Sequence, residues 1–404
     1  MKIPYSAISA GALAARALRD GCDGGRPNPG SNSTLPSSQV LMTTTGNVFL
    51  ANYDGSKFDV TLKADVTGAP TWVQFVEPNK LYAVNENGDD LRIFNLERGN
   101  GKNGSATLTE SVTATGSSGV VHLGFNKDNT RLVGAAYGNG TVDVWDIAGG
   151  RLELIKTIPA PGTPGPKSPN QDASHPHQAN LDPSGRYFAI NDLGFDNIMI
   201  LDTQDDKYEI VQNIPTKAGC GPRHGVWYPS NTGEATHYLV VCEISNEIIV
   251  NQLGYSATGV TVNQSQVIST FVSGTAPEGA AAGGIVLHPN NKDLYVTNRL
   301  TGADSDTLAH FKIDGGNLTP GKEIPTGGVL PRMLSISANG SEIFLGNQNG
   351  PDAAVAFGIN EDGSVTETPK ATLPWLSLAR RASVPHTLPR SKERRGKKNG
   401  YYIW

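Results

Sequence analysis

A unit of about fifty residues recurs along this chain, and a repeat of that length restricts the fold more than any other feature. Each copy is a short apolar strand, a turn with Pro, Asp, Asn or Gly, and a second strand ending in polar residues. The copies read "TWVQFVEPNKLYAVNENG", "VVHLGFNKDNTRLVGAAYGNG", "HQANLDPSGRYFAINDLG", "RHGVWYPSNTGEATHYLVVCEISN", "GGIVLHPNNKDLYVTNRLTG" and "RMLSISANGSEIFLGNQNG". Their first-strand anchors are Phe75, Phe125, Leu181, Trp227, Leu287 and Ile336, at intervals of 50, 56, 46, 60 and 49 residues. A third strand follows every pair, as in "TVDVWDIA" and "NIMILDTQ", and a fourth follows most, as in "ELIKTIP" and "QVISTFV". Four strands per unit make a β-propeller blade. Residues 45–66, "TGNVFLANYDGSKFDVTLKADV", fit a blade that lacks its first strand. The expected fold is therefore all-β: a seven-bladed propeller over residues 40–373, one blade split between the chain ends. Closing the ring in this way would remove the free sheet edges.

The two ends do not follow the repeat. Residues 1–39 read as a leader: a weakly apolar stretch that could be a signal peptide, then a Gly/Pro/Ser-rich linker without the pattern of a packed element. Residues 374–404 read as a basic, disordered tail, with eight Lys/Arg after Pro374 against Glu393 alone. The leader leaves a secreted and a cytoplasmic protein equally open. So do Cys220 and Cys242, which would pair in an exported protein and stay as buried thiols otherwise. Six Asn-x-Ser/Thr sequons add nothing, being about the number that chance gives in a chain this rich in Asn, Ser and Thr. A net charge of −5 gives no reason to expect nucleic acid, and no apolar run is long enough for a membrane helix.

Equivalent blade positions form rings around a propeller axis, so chemistry is sought in columns. The ends of the second strands give Tyr53, Glu86, Tyr137, Asp192, Glu243, Arg299 and Gln348. The residues ahead of the first strands give Trp72, His122, His177, Arg223, His224 and Arg332, with the alignment open by one residue. Both columns are rich in groups that bind anions or move protons, as a functional pocket requires. His175 and His177, two residues apart, could begin a metal site, act as acid–base or anion-binding groups, or pack. No HxxxH or CxxC supplies further metal ligands, and Pro176 works against a regular strand. Arg223 and Arg299 suit carboxylate or phosphate through the planar guanidinium fork. Glu243 follows the apolar run "HYLVVC", where burial would raise its pKa, or it partners one of those arginines. There is no GxSxG, P-loop or CxxCH, which weighs against serine hydrolases, nucleotide enzymes and c-type haem proteins.

The motifs "HPHQANLDPSGRYFAINDLGFDNIMILD", "GCGPRHGVW", "LYVTNR" with "DTLAHFKID", and "LPRMLSISANGSEIFLGNQ" resemble the lactonase-type seven-bladed propellers. That family includes bacterial 6-phosphogluconolactonases and fungal carboxy-cis,cis-muconate cyclases, and the motifs look closest to the cyclase branch. The resemblance implies a pocket on one face, no metal or other cofactor, and a small anionic substrate. By motif it places catalytic roles on His175, Glu243, Arg223 and Arg299. His177, His224, Glu86, Asp192, Arg332 and Gln348 are the expected substrate-binding residues around them. Cyclisation of a muconate, with Arg223 and Arg299 on the carboxylates and His175 or Glu243 moving the proton, is the first reading. Lactone hydrolysis with the same residues, or a non-catalytic binding scaffold, is the alternative.

Overall fold

The structure is a computed structural model that describes residues 16–18, 38–99, 105–256 and 259–380. It is a ring of seven four-stranded sheets, each an antiparallel meander of strands consecutive in sequence. Blade one holds Arg16–Leu18, Ser38–Thr44, Asn47–Tyr53 and Phe58–Asp65. Blade four, representative of the rest, holds Pro176–Leu181, Tyr187–Asp192, Asn197–Asp202 and Glu209–Pro215. The burial pattern explains the sequence pattern. The second strand of blade four is buried at every residue because neighbouring blades cover both its faces. The outermost strands Glu153–Pro159 and Glu209–Pro215 alternate between exposed and half-buried residues, with one face toward water.

Ring closure differs from the expectation. No blade is split between the chain ends among the described residues. The inner strand of blade one comes from the segment read as leader: Arg16, Ala17 and Leu18 pair with Leu41, Val40 and Gln39, and this strand contacts the inner strand of blade seven (Val329–Ile336). Blade seven is complete within itself, ending in Ala371–Pro374. The seam between blades seven and one is closed by side chains. Phe344, Ala354, Ala356 and Leu373 of blade seven share a core with Val40, Met42, Phe49 and Ala51 of blade one. The presumed tail also begins with structure. A helix at Trp375–Arg380 buries Leu378 in the same core, packs Trp375 against it, and accepts a hydrogen bond from Lys63 Nζ at the Leu378 carbonyl, 3.3 Å away. The signal-peptide reading, Cys22, the sequons at Asn32 and Asn103, and the tail beyond residue 380 lie outside the described residues.

With its first strand supplied from upstream, blade one is offset by one strand from the sequence alignment. Tyr53 ends the third strand, not the second, and so leaves its column. Its hydroxyl donates to Glu342 Oε1 at 2.9 Å, at the start of a second strand in blade seven. Glu342 also pairs with Lys370.

Candidate active site

In blades four, five and seven the inner strand carries a β-bulge directly after a proline. Pairing slips between Pro176 and Gln178, between Pro222 and His224, and between Pro331 and Met333. The residues skipped are His177, Arg223 and Arg332. A bulge re-aims the side chain it carries, and the proline ahead of it has no N–H to leave unpaired. The repeated Pro-His, Pro-Arg, Pro-Arg dipeptides were the sequence sign of this column. They also settle its alignment: His122, Gln178, His224 and Met333 follow the slips as a second column.

The bulged arginines meet carboxylates from the neighbouring column. Arg223 Nε lies 2.8 Å from Glu243 Oε2, at an angle that makes the contact an ion pair and not a directed hydrogen bond. Arg299 Nη2 lies 2.9 Å from the same oxygen. Backbone carbonyls hold both guanidiniums: Arg223 Nη1 donates to Gly283 at 3.0 Å, and Arg299 Nη2 to Ala282 at 2.8 Å. Arg332 Nη2 reaches Glu86 Oε2 at 2.9 Å, linking blades seven and two. Arg223 is only 1% exposed. Burial first, and Arg299 second, press its guanidinium down to about 9, with Glu243 opposing, so it stays charged at neutral pH. Burial pushes the Glu243 carboxyl up, but Arg299, Arg223 and Arg332 together outweigh it and hold the group below the ordinary range. Glu243 is therefore an ionised partner of two arginines, not the raised-pKa acid that its apolar approach suggested. The Cys220–Cys242 disulfide joins the turn before Arg223 to the residue before Glu243, and Glu243 N donates to Gly221 O at 2.8 Å.

Beside the ion pairs lies a layer of rings. Trp72 and His122 are 3.9 Å apart between centroids, His122 and His224 5.8 Å, and His224 and His177 5.1 Å. Burial, then the charges of Arg223 and Arg332, hold His177 well below the usual imidazole range; His224 is lowered by burial and then by Arg223. Both are neutral at pH 7, and His177 Nδ1 is buried without a hydrogen-bond partner. Trp72 and His122 also line a 640 Å³ cavity between the inner strands, shared with Gln178, Asn180, Met333 and Ser335 and touched by no charged side chain. The sequence reading had Trp72 and His122 in the right column but did not choose them as site residues.

His175 is separated from His177 by the bulge. It is half-buried, stacks on Tyr137 at 4.1 Å, and places Nδ1 2.8 Å from the Tyr137 carbonyl. A carbonyl only accepts, so Nδ1 carries the proton and Nε2 of the neutral ring keeps its lone pair. The Tyr137 ring meets His177 edge-on at 5.8 Å, joining the two histidines through one aromatic. Asp192 is fully buried and fully used. It accepts from Ser174 Oγ at 2.6 Å, His175 N at 2.7 Å and Gly194 N at 3.0 Å, so its oxygens are spent on holding the turn that carries His175. Gln348 is buried near the end of the second strand of blade seven, Glu342–Asn349. Among the described residues, no group of three or more His, Cys, Asp or Glu side chains is placed to hold a metal ion.

Comparison with known proteins agrees with this architecture. The sequence model of the family described as "Lactonase, 7-bladed beta-propeller" matches residues 37–374. A protein of Arthroderma benhamiae named "Probable 6-phosphogluconolactonase" is 30% identical over 355 residues, covering 85% of each chain. The periplasmic gluconolactonase of Pseudomonas aeruginosa superposes with a TM-score of 0.69 at 21% identity, over 83% of this chain and 94% of that one. A putative 6-phosphogluconolactonase of Bacteroides fragilis gives 0.69 at 22%, over 85% and 99%. At these identities the two solved structures speak for the fold alone. With the family model spanning nearly the whole ring, this chain belongs to the seven-bladed β-propeller lactonase family.

Proposed function

We propose that the protein hydrolyses a small lactone that carries an anionic group, with 6-phosphogluconolactone as the first candidate. The observation that carries this reading is the charge balance of the site. Among the described residues, Arg223, Arg299 and Arg332 pair with Glu243 and Glu86 alone, so one positive charge of the cluster is left for a ligand. The name of the Arthroderma relative supports the same substrate class.

The residues divide the work. Water attacks the lactone carbonyl, charge builds on the carbonyl oxygen, and the ring C–O bond breaks to give a carboxylate and a hydroxyl. Arg299 and Arg223 stabilise the oxyanion in a dry, pre-built setting. Glu243 keeps their guanidiniums in place, its depressed pKa making it a weak base. His175 acts as the base: the Tyr137 carbonyl sets its tautomer, leaving Nε2 free to accept a proton, and its ring is partly open to solvent. It takes the proton of water and returns it to the leaving alkoxide. Arg332, held in place by Glu86, binds the remote anionic group.

A second reading is kept because three arginines also suit a polycarboxylate. In carboxy-cis,cis-muconate cyclisation the same arginines would hold carboxylates and stabilise an enolate, and His175 would protonate carbon. A coupled assay with 6-phosphogluconolactone, beside an ultraviolet assay with carboxy-cis,cis-muconate, separates the two. Folded protein inactive in both would leave a binding scaffold.

A further inference from the structure

Asp306 lies outside the ion pairs of the site, yet its carboxylate is bonded to the backbone beside two of the site's arginines. It is 1% exposed and takes part in no ion pair among the described residues. Oδ2 accepts the N–H of Leu300 at 3.1 Å and of Leu330 at 2.7 Å. Oδ1 accepts Thr301 N at 2.9 Å and Thr301 Oγ1 at 2.7 Å. Leu300 directly follows Arg299, at the end of the second strand of blade six (Asp293–Arg299). Leu330 stands two residues before Arg332, on the inner strand of blade seven. One buried carboxylate therefore joins the segments that carry both arginines.

The backbone at these two leucines is unusual. Leu300 has φ 57° and Leu330 φ 59°, the left-handed region where a side chain crowds its own carbonyl. Such strain persists only where the surroundings over-determine it, and it gathers at functional sites. A simple turn-pinning role is the plainer reading, and Asp196 shows what that looks like. Asp196 accepts from Gly219 N at 2.6 Å and Gly221 N at 2.7 Å, but those residues are glycines, at φ 80° and 63°, which adopt the conformation without help. At Asp306 the conformation must be held on leucines, so the placement of the arginines depends on the carboxylate.

We propose that Asp306 is a positioning residue for anion binding: it sets Arg299 against Arg332 by clamping Leu300 and Leu330 in left-handed conformations. The proposal rests on the reading of the arginine cluster as an anion site. It is tested on the full-length chain with Asp306→Asn, alone and combined with Leu330→Gly. Two readouts are taken: the ¹⁵N-edited signals of the arginine Nε–H groups, and the affinity for 6-phosphogluconate by titration calorimetry. Asp306→Asn is expected to move the Arg299 and Arg332 signals, leave that of Arg223, and weaken binding by roughly 10- to 100-fold, the scale of a displacement near 1 Å. Leu330→Gly should recover part of the affinity, because glycine keeps a positive φ without the clamp. Unmoved arginine signals with unchanged affinity overturn the proposal. So does a double variant that regains thermal stability but no affinity. If Asp306→Asn does not fold, Asp306→Ser keeps one acceptor and carries the same expectation. If the wild type binds no 6-phosphogluconate, the anion-site reading falls, and the arginine signals still decide whether Asp306 positions them.

Discussion

Replacing Glu243 by glutamine tests the electrostatic core of the site with little change in shape. In the wild type one carboxylate oxygen serves Arg223 at 2.8 Å and Arg299 at 2.9 Å, and both arginines are nearly buried. The substitution leaves three guanidiniums with Glu86 as their remaining paired carboxylate. Removing one partner of a buried pair costs about 3–5 kcal/mol, because the other charge stays desolvated. With an unfolding entropy of about 2.1 cal/mol/K per residue over roughly 340 folded residues, that is a fall in Tm of about 4–7 °C. The effect has a defined pH window. The folded carboxyl of Glu243 lies below its ordinary value, so its stabilisation is present above the unfolded value, about 4.3, and is lost as pH falls through the lower folded one. The Tm gap between wild type and Glu243→Gln should therefore be full at pH 7 and should close in acid below that range. Phosphate should stabilise the variant more than the wild type, since an anion replaces the missing charge. Thermal unfolding followed by circular dichroism at pH 7 and in acid, with and without phosphate, measures all three effects. Equal Tm values at pH 7, or a gap that stays constant into acid, would refute the assignment of Glu243 as the counter-ion of both arginines.

Other expectations follow from single contacts. His175→Ala should lower turnover by about 10²–10⁴-fold, the range for a lost general base, with folding intact; a wild-type rate on an established substrate removes His175 from the mechanism. Replacing both Cys220 and Cys242 by Ala opens a crosslink spanning 22 residues and should cost about 3 kcal/mol in chemical denaturation. An unchanged midpoint would mean that the backbone bonds around Gly221 suffice. Leu378→Ala should cost about 2–5 kcal/mol, since this side chain is 4% exposed in the core shared by blades seven and one. A neutral result there would return the helix at Trp375–Arg380 to a surface appendage.

The blades were legible in the sequence because their signal is local. Strand alternation, turn residues and a recurring length are written in neighbouring positions, and they fixed six blade starts from Phe75 to Ile336 without reference to anything distant. The column logic also brought Arg223, Glu243, Arg299, Arg332 and Glu86 together, because blade position implies distance from the axis. Closure was not legible. The strand Arg16–Leu18 carries no pattern of its own, and missing it moved Tyr53 to the wrong strand. Nor could the sequence part His175 from His177. An i, i+2 pair faces one way on a regular strand, and only the bulge after Pro176 sends one ring toward Arg223 and the other onto Tyr137. Asp192 and Glu243 stood in the same column as equivalent acids. The tertiary structure spent one on backbone N–H groups and the other on two guanidiniums, because a carboxylate's role depends on which donors the fold brings within about 3 Å. Periodicity along a chain does not contain those distances.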